Sequence, residues 1–110
     1  MTTIKKLDEY TEQERKVLDP LYDVIDPELF INIVDMGLIY NIEVDDDKNI
    51  FITMTFSTQF CPMGESIIGG VQNVLQIELP DHEVHIDLTF DPPWSFERLS
   101  PEGRKMLQFE

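Results

Sequence analysis

The sequence predicts a small α+β domain, with a small antiparallel or mixed sheet and helices mainly on one of its faces. Three segments, residues 38–45, 50–57 and 84–90, alternate apolar and polar residues as half-buried strands do. Between the second and third segments, apolar residues recur at helical spacing from Met63 to Leu75. A helix with such an apolar stripe packs on one face of a sheet, which is the α+β arrangement.

The N-terminal arm is predicted to be helical. Residues 11–14, Thr-Glu-Gln-Glu, have the spacing of a capping box, and apolar residues follow at helical intervals through Ile25. The proline of Asp19-Pro20 interrupts this pattern, and the pair also fits an N-cap followed by a first helical position. We therefore expect two short helices or one kinked helix, ending before Asp26-Pro27.

The first two strands are predicted to form an antiparallel hairpin, because residues 45–49 between them make a polar turn. The third strand follows the central helix. Pro62 occupies the expected first position of that helix, and Ser100-Pro101 predicts a last short helix through about Leu107. Within the central helix, Gly69-Gly70 costs about 1 kcal/mol per glycine relative to alanine, which indicates a close backbone approach.

Length and charge restrict the class of protein. The 110 residues, 42% of them hydrophobic, suffice for one domain, and no repeat or linker divides residues 1–110. The net charge of −14 would repel phosphate backbones and anionic lipids, so we expect neither nucleic acid nor membrane as a partner. No apolar run is long enough to cross a bilayer, and we expect a cytoplasmic protein.

Cys61 is the single cysteine and cannot form an internal disulfide. It lies where a predicted strand meets the N-terminus of the helix that begins at Pro62. There the helix dipole and unpaired N–H groups favour a thiolate, lowering the thiol pKa from about 8.5 and making sulfur a better metal ligand or nucleophile. A buried, inert cysteine is the open alternative.

Carboxylates and hydroxyls stand near the ends of the predicted elements. Asp26-Pro27-Glu28 and Asp35-Met36-Gly37 supply carboxylates, although ordinary turn chemistry explains each of them unless they converge on Cys61. Thr55 and Thr58 precede Cys61 along its own strand and could place hydroxyls beside the sulfur. Solvent-facing strand positions are the alternative for these hydroxyls.

Other candidate sites carry less weight. The turn at 45–49 begins like a calcium loop but has Ile50 at the required glycine position. His82 and His85 point to opposite faces of a strand, and one cysteine completes no zinc pattern, which leaves only a less favoured Cys-His pair with His85. Trp94 fits a lid on the core better than a partner anchor.

The motifs together resemble a known family. The motifs, in chain order, are residues 24–29 (Val-Ile-Asp-Pro-Glu-Leu), 33–40 (Ile-Val-Asp-Met-Gly-Leu-Ile-Tyr), 53–56 (Thr-Met-Thr-Phe), Cys61-Pro62 and 91–94 (Asp-Pro-Pro-Trp). This set resembles the SufT/PaaD-like family, which includes the cytosolic iron-sulfur targeting factors of eukaryotes. The resemblance covers about residues 14–108.

The resemblance implies an iron-sulfur cluster assembly domain and a role in maturing iron-sulfur proteins, with Cys61 as the functional residue and metal ligand. It also implies that a set of oxygen-bearing side chains surrounds this cysteine: Asp26, Glu28, Asp35, Thr55 and Thr58. Gln59-Phe60 departs from the family pattern, in which a proline and a small residue precede the cysteine. This departure bears on the loop shape and on the exposure of the thiol.

One thiolate cannot supply the four cysteine ligands usual for a cluster. We therefore expect transient iron or iron-sulfur cluster and no stable cofactor, with other ligands from a second copy in a homodimer, a small thiol, a client or nearby carboxylates. The expected role is not enzymatic, and the expected partners are the iron-sulfur assembly machinery and client apoproteins. The alternatives are a PaaD-like accessory protein of a multicomponent oxygenase, a catalytic or redox thiol protein, and an interaction module with an inert cysteine.

Overall fold

The computed structural model describes residues 4–57 and 64–106 of the chain. In these ranges it contains three α-helices, three strands and two short 3₁₀ helices, Leu7–Glu9 and Phe96–Arg98. The larger elements are, in chain order, α1 (Glu12–Leu21), β1 (Ile39–Val44), β2 (Asn49–Met54), α2 (Gly64–Glu78), β3 (Glu83–Leu88) and α3 (Pro101–Met106). Within these described ranges, no helix is both long enough and apolar enough to span a bilayer.

The three strands form one mixed sheet in the order β1-β2-β3. β1 and β2 are antiparallel, with Ile42 opposite Ile52, which confirms the predicted hairpin. β3 runs parallel to β2, with Ile86 opposite Ile52. Parallel neighbours need a long crossover connection, and α2 lies within the one that joins β2 to β3. The predicted α+β class with a mixed sheet is therefore confirmed.

The apolar side chains on one face of the sheet form one side of the hydrophobic core. Tyr40, Ile42, Ile50, Ile52 and Met54 are fully buried, as their alternation predicts. The helices bury their apolar stripes in the same core, with Val17, Leu18 and Leu21 from α1 and Ile67, Val71 and Leu75 from α2. On the opposite face of the sheet, Phe51 is exposed and stacks on His85, with the ring centroids 5.0 Å apart.

The N-terminal arm contains one helix after the first 3₁₀ turn. The Thr11 hydroxyl accepts a hydrogen bond from the Glu14 N–H at 3.1 Å, and the Glu14 carboxylate accepts one from the Thr11 N–H at 3.0 Å, so the capping box is confirmed. Of the two expected alternatives, two short helices or one kinked helix, the first is wrong, because α1 continues through Pro20. Pro20 is the penultimate residue of α1, where its missing N–H removes a single hydrogen bond, and the chain turns after Leu21.

The C-terminal segment folds back onto the core. Ser100 caps α3 through its hydroxyl, which accepts from the Gly103 N–H at 3.0 Å, and this confirms the predicted start of the helix. The predicted end near Leu107 and the predicted start of α2 at Pro62 lie outside the described residues. Trp94 is partly buried against the core and its indole Nε1 donates to the Met36 carbonyl at 2.6 Å, as the lid interpretation requires.

The paired glycines of α2 have different surroundings. A Cβ on Gly70 would lie 3.2 Å from Cγ1 of Val24, in the loop that follows α1. A Cβ on Gly69 would have no neighbour within 4 Å. The close approach predicted from the glycine pair therefore exists at Gly70, and it is a contact within the chain.

Candidate functional site

The loop between α1 and β1 carries three of the predicted site residues and is joined to the end of β2. Backbone hydrogen bonds run from the Ile33 N–H to the Val24 carbonyl at 2.9 Å and from the Leu38 N–H to the Ile33 carbonyl at 3.1 Å. A third runs from the Thr55 N–H to the Leu38 carbonyl at 2.9 Å. The loop therefore lies beside Thr55, on the chain that continues towards Cys61.

Asp26 is buried, at 1% exposure, and its two carboxylate oxygens differ in their contacts. Oδ1 accepts hydrogen bonds from the N–H groups of Glu28 at 2.7 Å and Leu29 at 3.2 Å, which fixes a tight turn after Pro27. Among the residues that the structure describes, buried Oδ2 has no hydrogen-bond partner. Buried polar atoms are nearly always paired, so this oxygen is a candidate to accept a bond from a cation or another donor.

Asp35 is also buried, but both of its carboxylate oxygens are occupied. Oδ1 accepts from the Ser100 hydroxyl and Oδ2 from the Asn32 side-chain amide, each at 2.7 Å. The Asp35 carbonyl accepts from the Ser100 N–H at 2.9 Å. Asp35 therefore ties the loop to the start of α3, and these two partners were not identified from the sequence, although Ser100 was recognised as a helix cap.

Thr55 is fully buried, and its hydroxyl donates to the Phe56 carbonyl at 3.3 Å. Glu28 is exposed on the turn that Asp26 organises. The described contacts thus place Asp26, Glu28, Asp35 and Thr55 on adjoining segments while binding the two aspartates to different partners. Thr58 and Cys61 lie outside the described residues, and their place in the site stays a prediction.

Two tyrosines lie close to these segments. Burial raises the pKa of the Tyr22 phenol, and the carboxylates of Asp35 and Asp19 raise it further. Burial likewise raises the pKa of Tyr40, against the opposing charge of Arg98, whose guanidinium lies 4.9 Å from the centre of the Tyr40 ring. The Tyr40 hydroxyl donates to the Pro92 carbonyl at 2.7 Å. Both phenols are neutral at pH 7, and neither tyrosine was singled out as a site residue.

The described residues do not by themselves form a metal centre. Within 4–57 and 64–106, no group of three or more histidine, aspartate and glutamate side chains could hold a metal ion. His85, the less favoured partner proposed for Cys61, has its Nε2 3.2 Å from Oδ1 of Asn49.

A cavity of about 460 Å³ lies beside the loop that carries Asp35. It is bordered by the N-terminal segment 4–8, by the loop before β1 and by residues 97–101. Its lining is mainly apolar and includes both basic and acidic side chains: Lys5, Lys6, Asp8, Glu97 and Arg98. Asp26, Glu28, Asp35 and Thr55 do not line it.

Comparison with known proteins gives consistent matches. The family model described as "Iron-sulfur cluster assembly protein" matches residues 14–93. An "Fe-S protein maturation auxiliary factor" of Porphyromonas gingivalis is 36% identical over 101 residues, which cover 92% of this chain and 96% of the relative. The "Fe-S protein maturation auxiliary factor SufT" of Staphylococcus aureus is 41% identical over 78 residues, which cover 70% of this chain and 88% of the relative.

The fold also matches a solved structure. The crystal structure of a "Domain of Unknown Function DUF59" from Bacillus anthracis has a TM-score of 0.84 and 38% sequence identity to this chain. The match covers 88% of this chain and 92% of that one. The similarity therefore extends over nearly the whole architecture.

Proposed function

This chain belongs to the iron-sulfur cluster assembly protein family, and from that membership we propose that it is an auxiliary factor in the maturation of iron-sulfur proteins. The observation that carries the proposal is the family match over residues 14–93, together with relatives 36% and 41% identical that are named maturation auxiliary factors. The matched range contains the sheet, α2 and the loop with Asp26 and Asp35. The family resemblance identified from the sequence motifs is thereby confirmed.

We propose that iron or an iron-sulfur cluster is the cargo and that Cys61 is its labile ligand. One thiolate leaves most coordination positions to other molecules, so the cargo is transferred and not stored. Oδ2 of Asp26, which is buried and has no partner in the described part of the chain, supports a binding role for this carboxylate. A second copy, a small thiol or a client protein would supply the remaining ligands.

The oxygen-bearing residues would have different tasks in this proposal. Asp35 holds the loop in place, because Ser100 and Asn32 already occupy both of its oxygens. Asp26 retains an oxygen that can turn to the cargo. Glu28, Thr55 and Thr58 complete the set that the family resemblance places around Cys61.

The proposed partners are the iron-sulfur assembly machinery and client apoproteins of the cytoplasm, where a lone cysteine stays reduced. The net charge of −14 favours docking on basic protein surfaces. The names of the relatives describe an auxiliary role, which supports an assisting factor that does not itself catalyse a reaction.

The experiment compares cells that carry the wild-type chain, Cys61→Ser or Asp26→Asn in place of the chromosomal copy. Aconitase activity is measured against a dehydrogenase without a cluster, at equal amounts of the variants, and clusters are then rebuilt in the extract with iron and sulfide. We expect both variants to lose aconitase activity selectively and to regain it on rebuilding. Asp46→Asn, in the exposed hairpin turn, is the control for loss of one negative charge and should behave as wild type.

Aconitase activity that stays at the wild-type level in Cys61→Ser cells under all growth conditions would contradict a general, cysteine-dependent role. Loss of activity that iron and sulfide do not restore would point to loss of the enzyme and not of its cluster. Retained activity in Asp26→Asn with loss in Cys61→Ser would limit the cargo site to the cysteine.

A further inference from the structure

Phe30 combines an exposed aromatic ring with an unfavourable backbone conformation. It is 80% exposed and has φ of 60°, in the left-handed region that favours glycine. For a residue with a Cβ this conformation is unfavourable, and a ring that is 80% exposed contributes little apolar burial to offset it. Folding alone therefore gives no reason for phenylalanine at this position.

The other described residue with a side chain and positive φ, Lys48 at 65°, has an ordinary explanation. It lies in the polar hairpin turn between β1 and β2, and its charged side chain is exposed to water. Ile77 on α2 is almost as exposed as Phe30, at 78%, but it has a regular helical backbone. Phe30 is thus distinguished by strain and exposure together.

The loop holds Phe30 in a fixed orientation. Its N–H donates to the Asp26 carbonyl at 2.8 Å, and the Asp26 N–H donates to the Ile31 carbonyl at 2.9 Å. Ile25 and Asn32 form a β-bridge at the base of the same loop. A backbone fixed in this way loses little conformational freedom on docking, which favours Phe30 as a preorganised anchor.

The surroundings of Phe30 indicate the chemistry of its partner. Tyr22 and Ile25, in the same connection between α1 and β1, are also exposed, at 38% and 48%. The acidic residues Asp23 and Glu28 lie along this segment, in a chain of net charge −14. The matching surface is an apolar socket bordered by lysine and arginine side chains.

We propose that Phe30 anchors the protein that exchanges iron or cluster with this chain. The backbone bond between Phe30 and Asp26 places the anchor on the very loop that carries the proposed cargo carboxylate. A partner seated on the ring is therefore brought to the exchange site. This inference rests on the proposed function and adds to it the surface that recognises the partner.

The first test replaces Phe30 with glycine, which adopts positive φ without strain and so preserves the loop. Phe30→Gly should be at least as stable as the wild type, while aconitase activity in cells falls several-fold because docking becomes about tenfold weaker or worse. Lys48→Gly makes the same backbone change far from the loop, and Ile77→Ala removes an equally exposed apolar side chain. Both controls should keep wild-type activity.

If Phe30→Gly lowers the amount of protein, Phe30→Asn replaces it, since asparagine also tolerates this conformation. Wild-type aconitase activity in a well-expressed Phe30 variant overturns the anchor. If the Phe30 variant has wild-type aconitase activity while the separate Cys61→Ser strain has lost it, the anchor alone is overturned and the proposed function stands. If both the Phe30 variant and Cys61→Ser keep wild-type aconitase activity, the cysteine-dependent function is contradicted as well.

The second test places a photo-crosslinking phenylalanine analogue at position 30 or, as a control, at position 77 in living cells. We expect an adduct from position 30, absent from position 77, with an assembly protein or an apoprotein that receives a cluster. An adduct confined to proteins unconnected with iron-sulfur clusters, or identical adducts from both positions, overturns the proposal even if Phe30→Gly cells lose activity.

Discussion

Asp26 and Asp35 are two buried aspartates of one loop that differ in their hydrogen-bond contacts. Both belong to motifs that are ordinary turn chemistry in isolation, and the sequence predicted both as site residues. Asp35 has its two oxygens bound by Asn32 and by Ser100, the latter 65 positions away along the chain. One oxygen of Asp26 is unpaired within residues 4–57 and 64–106. This difference was not predictable from the sequence, because it depends on how a distant segment folds back.

Replacing Ser100 with alanine should lower the free energy of unfolding by about 1–2 kcal/mol, because one hydroxyl caps α3 and binds Asp35. The measurement is urea denaturation followed by circular dichroism. Ser95→Ala is the matched control, since Ser95 precedes the 3₁₀ helix Phe96–Arg98 without a side-chain cap bond. Equal stability losses in the two variants would show that the Ser100 hydroxyl has no special role.

At the scale of elements, patterns of local sequence were sufficient for most of the fold. Alternation predicted the strands, and the capping box at Thr11 and the cap at Ser100 predicted the starts of α1 and α3. These features depend on neighbours two to four residues away. The direction of β3 was left open, since an alternating pattern contains no information on which strand lies beside it. The alternative of two helices meeting at Pro20 was wrong, because a proline in the last turn can stop a helix without starting another.

The neighbouring glycines of α2 allow a matched test of packing between this helix and the loop after α1. Gly69→Ala should raise the free energy of unfolding by about 0.5–1 kcal/mol, since alanine favours helix and its Cβ meets no atom. Gly70→Ala should gain less or lose stability, because its Cβ would press on Val24 at 3.2 Å. The two variants are compared by urea denaturation, and an equal gain in both would contradict the close contact at Gly70.

At the scale of the whole molecule, the net charge of −14 opposes folding through mutual repulsion of the carboxylates. Added sodium chloride screens this repulsion, so the Tm should rise by several degrees between low and physiological ionic strength. Differential scanning calorimetry gives the measurement. Asp46→Lys, an exposed change in the hairpin turn, should reduce the salt dependence, whereas a Tm unaffected by salt would show that repulsion costs the fold little.

Trp94 gives the molecule an optical reporter of its own. It is the one tryptophan of the chain, with its indole bonded to the Met36 carbonyl and its ring meeting Phe96 edge-on at 5.1 Å between centroids. Emission from a partly buried indole moves to longer wavelength when water reaches it. The wavelength of maximum intrinsic fluorescence therefore reports, without an attached dye, whether the C-terminal segment remains packed against the loop that carries Asp35.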